Sequence, residues 1–352
     1  MTIAHAWAAH AAHAPFAPFS FERRALEPND VRIDILYCGI CHSDVHFARG
    51  EWGDPHYPCV PGHEIVGRVS GVGKAVTNFK VGDLAGVGCL VDSCGDCGPC
   101  GHGLEQYCEG GATGTYMSTE AQSGLPTYGG YSSYIVVREH FALHIKHKES
   151  DLPAVAPLLC AGITLWSPLR HWQAGPGKKV GIVGIGGLGH MGVKLARALG
   201  AHVVAFTTSP GKVEEAKRLG AHEVIISHDA KQMADHAASF DLIVNTVSAA
   251  QDLDMYARLL KLDATLVMVG AGTEKHISPA AFTLLGKRRS IAGSAIGGIP
   301  ETQEMLDFCA EHGITADIEM IPVGQVDAAY DRIVASDVKY RFVIDMATLP
   351  TA

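Results

Sequence analysis

The chain has 352 residues, 47% hydrophobic and 18% charged, with a formal net charge of −9. That length exceeds what one compact core needs and suits two domains. The negative balance argues against a face that tracks nucleic-acid phosphates, and no apolar run reaches membrane-spanning length.

The N-terminal stretch MTIAHAWAAHAAHAPFAPF carries His5, His10 and His13 but lacks a basic leader region and a continuous apolar run. It reads as a solvated or edge-strand segment and not as a signal peptide. Adventitious metal binding by the three imidazoles is the competing reading. Ten cysteines without such a leader predict metal or redox use in a reducing cytoplasm, not a disulfide framework.

Val31–Tyr37 and Glu64–Gly73 are short strand candidates among Gly-, Pro- and Cys-rich turns. They predict a mostly antiparallel, barrel-like domain. Between them lies CHSDVH, Cys41 to His46, with a thiol, two imidazoles, a hydroxyl and a carboxylate. Alone, these six residues fit a metal site, a Cys–His nucleophile pair or a polar turn.

Next comes CGDCGPCGHGLEQYC, which supplies Cys94, Cys97, Cys100 and Cys108. Two successive two-residue gaps let thiolates converge, and a longer loop brings the fourth. Four soft ligands predict a closed tetrahedral zinc site that shapes a loop and does no chemistry. An iron–sulfur cluster and unliganded thiols compete, but ferredoxin-type runs use a different last gap. His63 and Glu64 in CVPGHEIVG, and Cys160 in PLLCAGIT, are far apart in the chain. With Cys41 they make up the Cys₂His set of a catalytic zinc site, Glu64 filling an exchangeable fourth position. Cys38, Cys59, Cys89 and Cys309 default to buried packing thiols.

From Lys178 the pattern alternates strand and helix. Lys178–Gly187 is an apolar strand running into a Gly turn, and Leu188–Gly200 a helix. His202–Thr207, Glu223–Ser227, Asp241–Val247 and Ala264–Gly270 are further strands, with a short charged helix at Gly211–Gly220. This is the signature of a doubly wound parallel sheet, a Rossmann domain. The turn GIGGLG, with Gly184, Gly186, Gly187, Leu188 and Gly189, opens a helix whose amides can meet a pyrophosphate. The next strand ends in Thr207, Thr208 and Ser209, with Lys212 beyond, where an NAD reader would place a carboxylate. Three hydroxyls and a cation predict NADP, a 2′-phosphate being welcomed and not repelled. An ordinary Ser/Thr/Pro turn is the alternative. After residue 296 a helix (PETQEMLDFCAEHG) and a strand (RFVIDM) are expected to rejoin the first domain.

Taken together, YCGICHSDVH, YPCVPGHEIVG, the four-Cys lobe, APLLCAGIT, VGIGGLGHMGVKLA, FTTSPGK and KYRFVID resemble the zinc-dependent medium-chain alcohol dehydrogenases. The likeness is greatest to the cinnamyl-alcohol-dehydrogenase branch and to bacterial NADP-dependent aldehyde reductases of broad specificity. It runs through nearly the whole chain.

The resemblance implies a GroES-like catalytic domain at 1–153, a Rossmann NADP-binding domain at 154–295, and a return to the catalytic domain at 296–352. It implies two Zn2+ per chain and NADP(H), with Cys41, His63 and Cys160 on the catalytic zinc and Glu64 as the exchangeable ligand. Ser43 and His46 match the proton relay. His42 matches a pyrophosphate neighbour, and Thr164 a flank of the nicotinamide. Val269, Ser294, Ile296 and Arg341 fall at further cofactor contacts, and Trp52 in the substrate pocket.

Asp44 is expected to orient a neighbouring imidazole. For His42, Asp44 and Trp52 the plain alternatives are a surface imidazole, a turn residue and simple packing. The strand RSIAGSAIGG resembles one used at a dimer interface, so a cytoplasmic homodimer is expected. The His-rich leader is not a family feature, and the segment FARGEWGDPHY carries no substrate identity. A non-catalytic nucleotide-binding relative and a zinc-free quinone reductase are the rival functions. The FTTSPGK reading is checked by titration with both cofactors. Lys212→Ala weakens NADPH about tenfold and leaves NADH unmoved, whereas equal wild-type affinities with no effect of the substitution exclude it.

Overall fold

A computed structural model describes residues 2–53, 56–272 and 274–350. The chain divides into two units, Met1–Cys160 with Gly297–Ala352, and Ala161–Ile296.

The larger unit is built on a seven-stranded sheet around the long strand Asp30–Ile40. On one side of that strand lies Ile65–Val72, antiparallel, with Cys38 opposite Ile65. On the other lies the C-terminal strand Arg341–Asp345, also antiparallel, with Phe342 opposite Ile40 and Val343 opposite Gly39. The expected return of the tail is therefore a strand addition, extended by Ile318–Pro322 running parallel to it. Val31, Ile33, Ile65, Phe342 and Ile344 are fully buried here. That burial resists a one-residue slip, which would turn every apolar side chain to the other face.

The N-terminal segment is an ordered hairpin. Thr2–Ala9 pairs with Phe16–Arg23, with Ala4, Ala6 and Ala8 buried and His5 and Trp7 on the other face. His10 and His13 lie in its connection, both exposed. Ala9 and Cys59 exchange backbone hydrogen bonds at 2.8 and 2.9 Å, so the hairpin braces the strip that leads to His63. Arg23 at its end is 6% exposed. It donates to the carbonyls of Tyr134 and Tyr128 and to Ser132 Oγ at 2.7, 2.8 and 3.0 Å. Burial lowers its pKa to about 10, because neutral carbonyls repay its desolvation only in part.

The second unit is a six-stranded, all-parallel sheet. Its strand order is Glu223–Ile226, His202–Thr207, Lys179–Val183, Phe240–Asn245, Leu260–Met268 and Ser290–Gly293. The first strand in sequence lies in the middle and the chain winds outward both ways, creating a switch point beside Lys179–Val183. Val203 to Thr207 are all buried, the continuous run that a strand covered on both faces requires. Among the described residues no single helix is long and apolar enough to cross a membrane.

Candidate active site and metal centres

Backbone register brings the catalytic cluster together. Strand Asp30–Ile40 delivers Cys41, which opens the helix His42–Ala48. The neighbouring strip carries His63 and Glu64, and the Gly39 amide donates to the Glu64 carbonyl at 2.9 Å. A Cβ on Gly39 would lie 1.9 Å from Glu64 Oε2, so only glycine leaves room for that carboxylate. Cys160 arrives on a 3₁₀ turn, Ala156–Leu159. One ligand atom from each of Cys41, His63, Glu64 and Cys160 falls within 4.8 Å of all the others.

This set fits a metal ion. The Cys41 and Cys160 sulfurs are 3.8 Å apart, far beyond the roughly 2.05 Å of a disulfide and close to the roughly 3.8 Å edge of a tetrahedron with Zn–S near 2.3 Å. Glu64 is fully buried, with one oxygen paired to Arg341. Its other oxygen is buried without a hydrogen-bond partner, a costly state that a cation would relieve. Burial pushes the Glu64 carboxyl up to about 8, with Arg341 opposing.

Asp44, also fully buried, ties the ligands together. Its carboxylate accepts from the Cys41 amide at 2.7 Å and the Gly62 amide at 3.1 Å, and it faces His63 Nδ1 at 3.2 Å. That contact turns His63 Nε2 toward the thiols and fixes the tautomer. Burial works against a charge on His63, yet Asp44 holds its pKa well above the ordinary value. A metal would take that proton's place.

The short helix spaces the remaining polar groups. Ser43 and His46 stand three residues apart, on one face, and Ser43 Oγ is 3.6 Å from the Cys41 sulfur. The His46 ring stacks between His42 and Trp52, with centroids at 4.7 and 4.6 Å. Its Nδ1 pairs with the Glu51 carboxylate. Glu51 escaped the sequence reading, since a carboxylate five positions on in a loop has no periodic signal. The pocket-wall segment is described except for Asp54 and Pro55, which lie outside the described residues.

Arg341, expected beside the cofactor, is buried and pairs with Glu64. One expectation changes. Cys89, expected as a buried packing thiol, is half-buried, interacts with Cys160, and lies 3.9 Å from the Leu159 carbonyl. Cys38, Cys59 and Cys309 are buried, at 0%, 1% and 0% exposure.

The four-cysteine lobe forms a second metal-compatible set. The Cys94 and Cys100 sulfurs are 3.9 Å apart. The Cys94 amide points at the Cys108 sulfur at 3.4 Å and the Glu109 amide at the Cys97 sulfur at 3.5 Å. Four sulfurs in one set leave no open position.

In the smaller unit the cofactor candidates collect at the carboxyl ends of the parallel strands. Gly184–Gly189 follows Lys179–Val183 and opens the helix Gly189–Ala198. A side chain on Gly186 would face open space, the clearance that a pyrophosphate needs. Thr207 ends the next strand, and its Oγ1 accepts from the Ser209 amide at 3.1 Å. Thr208 is exposed, and Lys212 Nζ donates to the Ile185 carbonyl at 3.1 Å. No carboxylate stands at these positions, so the residues fit a 2′-phosphate. Val269 and Ser294 follow the strands Leu260–Met268 and Ser290–Gly293, and Ile296 has a positive φ of 36°. Thr164 is buried on the helix Ala161–His171.

Comparison with known proteins agrees with this layout. Residues 27–147 match the model of the alcohol dehydrogenase GroES-like domain, and residues 187–311 that of the zinc-binding dehydrogenases. The chain is 63% identical over 327 residues to aldehyde reductase YahK of Escherichia coli, covering 93% of each. It is 54% identical over 350 residues to NADP-dependent alcohol dehydrogenase C 1 of Mycolicibacterium smegmatis, covering 99% of each. A Sorghum bicolor cinnamyl alcohol dehydrogenase superposes with a TM-score of 0.95 at 44% identity, covering 100% of this chain and 99% of that one. A Helicobacter pylori structure complexed with NADP(H) superposes with a TM-score of 0.91 at 40% identity, covering 98% and 99%.

The ligand assignment is checked by metal analysis. Cys160→Ser lowers the content from two zinc ions per chain to one and abolishes turnover. Full activity in that variant, or loss of both ions with the fold intact, contradicts the assignment.

Proposed function

The chain belongs to the zinc-dependent medium-chain alcohol dehydrogenases, and from that premise we propose that it is a cytoplasmic NADP(H)-dependent alcohol dehydrogenase. It works mainly as a reductase of aromatic and medium-length aliphatic aldehydes. The observation that carries this is the buried set of two thiols, one imidazole and one carboxylate whose ligand atoms all lie within 4.8 Å of one another.

Cys41, His63 and Cys160 would hold the zinc, with Glu64 as the ligand that yields. When bound, the zinc supplies a Lewis acid for the substrate oxygen and the nicotinamide supplies or takes the hydride. Every proton step belongs to the chain itself. Ser43 Oγ, beside Cys41, is placed to exchange a proton with a substrate hydroxyl. Glu51 accepting from His46 Nδ1 leaves Nε2 free to take that proton and pass it outward. Asp44 keeps the His63 ring aimed, and Arg341 keeps Glu64 from wandering as an unpaired buried charge. The aromatic bodies of Trp52 and Phe47, edge to face at 5.4 Å, support an aromatic substrate class.

A screen of aldehydes and ketones for NADPH oxidation, run on protein of known zinc content, tests the proposal. Aromatic and medium aliphatic aldehydes turn over. Ser43→Ala slows them about 10²-fold while NADPH binding stays near normal. No turnover across the panel with two zinc ions bound would return the chain to a non-catalytic role.

A homodimer is part of the same proposal. The sheet of the smaller unit ends on an edge strand, Ser290–Gly293, that is largely exposed. Leu262, Phe282, Leu285 and Ile291, from successive elements at that edge, are 64%, 86%, 72% and 37% exposed. Unpaired strand backbone with apolar neighbours suits pairing with a second copy. Light scattering should give twice the chain mass, and Phe282→Asp should shift it toward one chain. A wild-type monomer at micromolar concentration rules this out.

A further inference from the structure

Glu105 belongs to neither metal set and to no proton path, yet it is 1% exposed, within the lobe between Cys100 and Cys108. One carboxylate oxygen meets His140 Nε2 at 2.7 Å, and the other accepts from the Ile299 amide at 2.9 Å. Burial pushes its pKa up, but His140 and the Ile299 amide together hold it below the usual range.

Ile299 is the first residue of the 14-residue helix Ile299–His312. It follows closely on the point, between Ile296 and Gly297, where the chain re-enters the larger unit. Gly298 at the helix N-cap has no side chain to satisfy the first amides, so a donor that would be orphaned is served from the lobe. The two backbones also touch. A Cβ on Gly298 would lie 1.8 Å from the Gly103 carbonyl oxygen and 2.7 Å from Glu105 Oε2. A Cβ on Gly103 would meet Pro300 at 2.9 Å. Lobe and helix start are therefore packed backbone to backbone, with a buried carboxylate as the pin.

We infer that the four-cysteine lobe braces the crossover of the chain: Glu105 passes the rigidity that the lobe's metal imposes on residues 94–108 to residues 297–302. The segment so anchored continues directly from Ser294 and Ile296, and only this link to cofactor positioning rests on the proposed function. The metal's role then extends beyond its own loop, to the place where the chain returns from the nucleotide unit.

Hydrogen exchange followed by mass spectrometry on the full-length, zinc-loaded protein tests this, with metal content measured alongside. Glu105→Ala keeps both ions and wild-type exchange in the lobe, but speeds exchange at 297–303 about tenfold or more, the size expected when a buried charge-assisted hydrogen bond is lost. Glu105→Gln retains an acceptor of the same shape without the charge and falls between. Cys97→Ser loses one ion and speeds exchange both in the lobe and at 297–303, with the helix Gly189–Ala198 unchanged. Wild-type exchange at 297–303 in both Glu105 variants overturns the inference. So does a loosened lobe in Cys97→Ser that leaves 297–303 unmoved. Should Glu105→Ala shed both ions, the Gln variant decides. No readout depends on NADPH turnover, so failure of the proposed reaction leaves this test intact.

Discussion

The site depends on the register of one strand between two others. Asp30–Ile40 pairs with Ile65–Val72 on one side and Arg341–Asp345 on the other. That pairing sets Cys41, Glu64 and Arg341 next to one another although their sequence positions span 300 residues. Moving any of the three strands by one residue would send a ligand to the opposite face and expose a row of apolar side chains. The energetic penalty of slipping the core therefore protects the chemistry. Gly39, in the middle of this arrangement, is the point where backbone yields space to the Glu64 carboxylate.

Electrostatics inside this cluster follow from burial. Glu64, Asp44 and Arg341 are nearly or wholly removed from water, and each is kept by a partner: Glu64 with Arg341, and Asp44 with two amides and an imidazole. Charges in such surroundings cost several kcal/mol each unless paired. Glu64 Oε2, buried without a hydrogen-bond partner, belongs to the set of ligand atoms able to hold a cation there. The four-cysteine lobe solves a different problem. It closes its metal off with sulfur and amides, and it communicates by contact alone, through Glu105 and the glycines that let it touch the start of the last long helix.

Much of the fold was legible because it is local. The alternation of Lys178–Gly270 marks a parallel sheet from period and glycine placement alone, and His202–Thr207 has the expected bounds. The four-cysteine lobe was legible from spacing, since thiolates have few other reasons to gather, whereas Cys41, His63, Glu64 and Cys160 lie too far apart for spacing and were legible from ligand type and resemblance. The N-terminal hairpin was harder. Its alternating alanines are too weakly apolar to announce a strand, and only packing against the 128–134 loop and Cys59 commits them. Arg341 sits in the KYRFVID motif, but its pairing with Glu64 is set by strand register, and Glu51 reaches His46 only through a loop.

The amino-acid sequence alone thus determined the elements, the two-domain division of labour, the ligand types and the absence of a carboxylate beyond the second Rossmann strand. These are properties of residue chemistry and of short-range periodicity. Tertiary structure decided which groups share a site: Asp44 on His63, Glu51 on His46, Arg341 on Glu64, Glu105 on Ile299. Such pairings arise from long-range register and from the need to satisfy every buried polar group, and neither can be read from neighbours along the chain.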